Sequence, residues 1–187
     1  MKRFKRLSIG LSLMAVAAAA APAGALAADA PVTGSITGGS LSLSTSATPS
    51  FTATLNGSDQ AETYTIPSVL ADTQGSGAGW NTTITSTQYT TGGGTPRTLA
   101  TNASTMTALA STCQASVTCT AETNSVTLPV SVPAAAVAPT AVKYHNAATD
   151  TGMGEFDHTP TVSVALPADT FAGSYTSTVT LASVSGP

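Results

Sequence analysis

Charge is what this sequence has least of. Asp, Glu, Lys and Arg make up 8% of 187 residues, so a folded surface must be built mostly from hydroxyl and small apolar side chains. Basic residues are especially few. Four of the six, Lys2, Arg3, Lys5 and Arg6, sit at the extreme N-terminus. Without them only Arg97 and Lys143 face nine acids, and the net charge moves from −3 to −7. Such a surface repels nucleic acid and anionic lipid, and neither is expected as a partner. Aromatic residues are 5% of the chain, with one tryptophan. There are two cysteines, and the sequences Gly-x-Ser-x-Gly, His-Glu-x-x-His and the acidic calcium-loop pattern are all missing. No catalytic residue, metal or cofactor is therefore expected, and the chain is read as a non-enzyme.

What the sequence does have begins with its N-terminus. The positive cluster is followed by an apolar run over residues 7–21, then by Ala25-Leu26-Ala27, a small-x-small cleavage site. Residues 1–27 read as a secretory signal peptide. The run is short and alanine-heavy, which argues against a membrane anchor. No second apolar span follows it, so no transmembrane anchor is expected, and any hold on a surface would be non-covalent. Residues 28–34 read as a flexible lead, and residues 35–187 as one domain, a size that can bury its own core. Five residues separate Cys113 from Cys119. That spacing suits a disulfide across a short loop in an exported chain.

The domain is marked by period-two alternation. It is strict in Leu41-Ser42-Leu43-Ser44, recurs in residues 51–55, 81–89 and 125–132, and is clearest in the last two strands, residues 161–167 and 175–184. Residues 62–69 continue as extended chain, with Pro67 marking a bulge or edge. Asn56-Gly57 is a strong turn signal. Residues 97–123 are irregular, with a short helical turn predicted over residues 105–109. Residues 144–158 read as a long polar loop. Many short strands with turn residues between them predict an all-β sandwich, immunoglobulin-like or a related pair of antiparallel sheets.

The stretch with most character is residues 72–80, where Asp72 precedes Gly75, Gly77, Gly79 and Trp80. The tryptophan either stacks on a sugar ring or fills the sandwich core. Asp72 either orients a ligand hydroxyl or bonds its own backbone in an Asx-turn. Asp72, Gly75, Gly77, Gly79 and Trp80 are the candidate ligand-binding residues. His145, Asp150, Glu155, Asp157 and His158 crowd a second stretch, readable as a metal or acid–base site or as a solvated loop.

The run Asp-Thr-x-Gly-x-Gly-Ala-Gly-Trp over residues 72–80 resembles the first motif region of the WxL-domain surface proteins of Gram-positive bacteria. Leu166-Pro167-Ala168, with Phe171-Ala172-Gly173-Ser174-Tyr175 and the alternating strand after it, is similar to that family's final strand pair. Gly152-Met153-Gly154 matches its small-residue loop. The likeness spans most of residues 35–187 and is strong at only two places. Thr82 stands where the first motif has leucine, and no tryptophan stands at the second, so the resemblance is to a divergent member. The alanine-rich chain suggests a high-GC source. The resemblance implies a secreted β-protein, held non-covalently at the cell wall by binding peptidoglycan or another wall polymer, in some cases with other surface proteins. The alternative expectation is a structural or adhesive subunit that binds proteins.

Overall fold

A computed structural model describes residues 29–187. The expected signal peptide lies outside the described residues. The chain divides into two units, Met1–Ser35 and Ile36–Pro187. In the first, residues 29–35 are exposed and form no strand or helix. The second is all-β, as the alternation predicts.

Ten strands follow in chain order: β1 (Leu41–Ser44), β2 (Gln60–Thr65), β3 (Ser68–Asp72), β4 (Trp80–Thr87), β5 (Ser104–Cys113), β6 (Val130–Ser131), β7 (Ala134–Ala135), β8 (Val142–Ala147), β9 (Gly154–Leu166) and β10 (Val179–Ser185). They form two sheets. The first has the order β1-β3-β9-β5-β6, and β2 also pairs with β9. The second has the order β10-β4-β7, with β8 also on β4. All pairings are antiparallel except the short one between β4 and β7.

The organising strand is β9. Its even-numbered residues from Phe156 to Leu166 are buried, and its odd-numbered ones are not. β2 and β3 cover its two halves in succession, with Pro67 in the break between them, where a residue without an N–H interrupts no ladder. On the opposite sheet, β4 turns Trp80, Thr82, Ile84 and Ser86 inward. The main core packs Tyr64, Ile66, Ile84, Met106, Val162 and Leu166 between the layers. A smaller core joins Leu70, Trp80 and Ala147, with Leu41 and Leu43 against it.

Several local expectations are corrected. Residues 105–109 are not a helical turn. They lie within β5, where ladder bonds to β9 override the helix preference of Met, Ala and Leu. Residues 51–55 alternate but find no partner strand, and they run as irregular chain. Of residues 125–132 only Val130–Ser131 pairs, directly after Pro129. The predicted polar loop over residues 144–158 contains most of β8 and the start of β9, with a short connection between. The disulfide Cys113–Cys119 is formed, with a Cα–Cα distance of 5.9 Å.

Candidate functional site

The glycine turn links β3 to β4 and closes over an indole. Asp72 ends β3 and is 4% exposed, and its carboxylate Oδ1 accepts the Gln74 N–H at 3.1 Å. That is an Asx-turn. Gly75, Gly77 and Gly79 have φ of +62°, +65° and +71°, a region closed to most side chains. Gly79 has a second constraint, since an added Cβ would overlap the carbonyl oxygen of Ala147. The backbone then delivers Trp80, which is wholly buried. Its Nε1–H donates to the carbonyl oxygen of Gly152 at 2.8 Å, and its ring lies 5.4 Å from that of His145. The five residues named from the sequence thus share one corner. Gly75 is exposed, but Asp72, Gly79 and Trp80 are buried, and the indole offers no open face for stacking.

The second stretch separates. Asp150 and Asp157 are exposed, while His145 and His158 point into the sandwich and are 6% and 0% exposed. The reading of these histidines as part of a solvated loop is corrected. β8 and β9 face one another across the layers: His158 holds an inward position in the alternation of β9, and His145 follows a bulge at Tyr144 in a run of four buried residues on β8. The rings of His145 and His158 lie 5.4 Å apart, and Tyr144 Oη is 3.5 Å from His158 Nδ1. Burial, then the neighbouring His145, lower the His158 pKa from 6.5 to about 4, with Glu122 opposing. Burial raises Tyr144 to about 12, partly offset by Thr82. Glu122 bridges outward: its Oε2 lies 3.2 Å from His145 Nε2, and its Oε1 accepts the Ser111 hydroxyl at 2.9 Å. The order is hydroxyl, carboxylate, imidazole. The histidine does not reach the serine, so it cannot take its proton as a nucleophile's general base does. Among the described residues no group of three His, Cys, Asp or Glu is placed to hold a metal ion.

The open site lies elsewhere. A groove of about 1010 Å³ runs between residues 43–55 and residues 170–181. Its floor includes Tyr64, Ile66 and Leu166 from the core. Five of the chain's nine aromatic residues line it: Phe51, Tyr64, Tyr89, Phe171 and Tyr175. In a chain so poor in aromatics, that concentration marks it as the candidate site. Phe51 stacks on Tyr64 with centroids 6.3 Å apart and meets Tyr89 edge-on at 5.8 Å. The Tyr89 and Tyr64 hydroxyls share a hydrogen bond at 3.3 Å, and burial above all raises the Tyr64 pKa. At the rim, Phe171 is 55% exposed, with the Arg97 guanidinium 3.8 Å from one ring face. The Tyr175 hydroxyl donates to the Phe171 carbonyl at 2.9 Å. The remaining lining is Ser, Thr and small apolar residues, and no charged side chain is among it.

Sequence reasoning missed this groove. Its aromatics are spread from position 51 to position 175, and only the meeting of the two sheets brings them together. The available signal was Phe51, an aromatic in an alternating stretch that has Pro49 beside it and no partner. Compared with protein-family models, curated proteins and solved structures, the chain matches none.

Proposed function

We propose that this chain is an exported, non-catalytic surface protein of a Gram-positive cell, held non-covalently at the cell wall through peptidoglycan or another cell-wall polymer. The groove carries this reading. Polysaccharide chains present hydroxyls and apolar ring faces, and a pocket of aromatics with a few converging polar groups is suited to both. An uncharged groove on a chain of mature charge −7 also avoids repelling a polymer that carries carboxylates of its own. The N-terminal export signal and the likeness of residues 72–80 and 166–180 to WxL-domain proteins support the same reading. In it Trp80 holds the scaffold, and Phe51, Phe171 and Tyr175 meet the ligand.

A second reading, a subunit that binds other proteins, has its own support. β10 is the terminal strand of its sheet, and an open strand edge recruits extended polypeptide.

Sedimentation with purified cell walls tests the first reading. The mature protein is expected in the pellet, and Phe171→Ala is expected to shift to the supernatant while keeping its fold. Wild-type protein that stays in the supernatant overturns wall attachment.

A further inference from the structure

We propose that β10 is an acceptor edge for the N-terminal lead of a second copy of this chain, so that copies join head to tail by strand addition. This rests on the second reading above and names its partner.

The acceptor comes from the topology. Among the described residues β10 pairs only with β4, in the register Val179↔Ser86 to Ser185↔Trp80. Thr87 N–H donates to the Thr178 carbonyl and Gly186 N–H to the Gly79 carbonyl, each at 2.9 Å. In an antiparallel ladder successive residues bond to opposite sides. The even-numbered residues therefore bond towards β4. The backbone groups of Val179, Leu181 and Ser183 point the other way. β1 lies beside β10 in the other sheet, yet the two share no ladder. The sandwich is unzipped along this seam. Its opening is the groove, which Leu43, Val179 and Leu181 all line.

The donor comes from the sequence and its exposure. In an extended chain, Ala30, Val32, Gly34 and Ile36 fall on one face, and Pro31, Thr33, Ser35 and Thr37 fall on the other. One face is apolar or small and the other largely hydroxyl, the pattern of a half-buried strand. Yet every residue from 29 to 39 is exposed, with Val32 at 94% and Ile36 at 100%. Two isolated apolar side chains on an exposed segment are ordinary. Two at strand spacing, in a chain whose β10 edge is unpaired among the described residues, have the pattern of a strand without a sheet. Residues 30–37 carry no charge, and neither does the groove, so docking brings no like charges together on this acidic chain. Donor and acceptor are different surfaces. The contact is therefore heterologous and propagates into a ring or filament instead of stopping at a dimer.

The test uses the purified mature chain, residues 28–187, in solution. Sedimentation velocity over a range of concentrations should show species larger than dimers. The double variant Val32→Asp with Ile36→Asp should be monomeric; both side chains are exposed, so its folding is not at issue. Ser183→Pro, which removes an outward N–H, should also be monomeric. Mixing these two variants restores one donor and one acceptor, and should give a one-to-one dimer and nothing larger. On assembly, amide exchange at Val179 and Leu181 should slow by at least about tenfold. A wild type that is monomeric throughout, or a double variant that assembles as the wild type does, overturns the proposal. A second arm uses a synthetic peptide of alternating Thr and Val. If it protects the β10 amides of a monomeric wild type, the edge binds polypeptide but not this lead. If it also fails to bind, the protein-binding reading falls as well.

Discussion

The Nε1–H of Trp80 donates to the backbone carbonyl of Gly152, 72 residues further along the chain, at 2.8 Å. This bond ties the turn before β4 to the connection between β8 and β9. Gly152 itself must be glycine, since its φ is +70° and a Cβ would press on Ala147 and the indole. Asp150 N–H donates to the Gly77 carbonyl at 2.9 Å and completes the clasp. Two glycine-bearing loops, distant in sequence, thus enclose one buried side chain.

Trp80→Ala should therefore be among the most damaging single substitutions. It empties a site of the largest side chain in the smaller core and leaves the Gly152 carbonyl without its donor, a loss of about 3–5 kcal/mol. Urea unfolding should show a lower midpoint with an unchanged slope. As the only tryptophan, and wholly buried, it should also emit at short wavelength and resist quenching by iodide.

Gly79→Ala and Gly75→Ala should differ, although both positions have positive φ. At Gly75 nothing lies within 4 Å of an added Cβ, so the cost is backbone strain alone, about 1 kcal/mol. At Gly79 the same strain is joined by overlap with the Ala147 carbonyl, and the loss should exceed about 2 kcal/mol. Paired denaturation curves check the order.

Stability should fall as the solution is made acid. The unfolded chain takes up a proton at His158 near pH 6.5, while the native state takes it only near pH 4. The His158 contribution is thus complete above pH 6.5 and is lost as pH falls from there towards 4. The linked loss is about 3 kcal/mol over that window. Comparing wild type with His158→Gln isolates this part, because the variant should lack the corresponding slope.

The disulfide closes a loop with a sequence separation of 6, next to the Gly154 end of β9. Cys113→Ser with Cys119→Ser should lower stability by about 2–3 kcal/mol and leave the two sheets folded. Thermal unfolding followed by far-ultraviolet circular dichroism checks both halves of that expectation.

The strand content was legible because β10, β4 and the second half of β9 alternate, and the disulfide followed from its spacing. Trp80 as a core residue and Asp72 as an Asx-turn were both open readings of the residues, and the structure places each so. Residues 105–109 and 51–55 were misread for opposite reasons. The first has helix formers but a partner strand, and the second has strand alternation but none. The inward placement of His145 and His158 is not legible from their polarity, since the alternation of β9 and a bulge on β8 set it. The groove was invisible for a different reason. It is made of sheet edges, and which strands lie at an edge is a property of the sheet order that no local pattern encodes.

The most direct measurement is the backbone amide spectrum of the mature protein titrated with soluble, enzymatically released wall glycan. Shifts confined to residues around Phe51, Phe171 and Tyr175 are expected, with the turn at residues 75–80 unchanged. Shifts centred on that turn, or none anywhere, would contradict attachment through the groove.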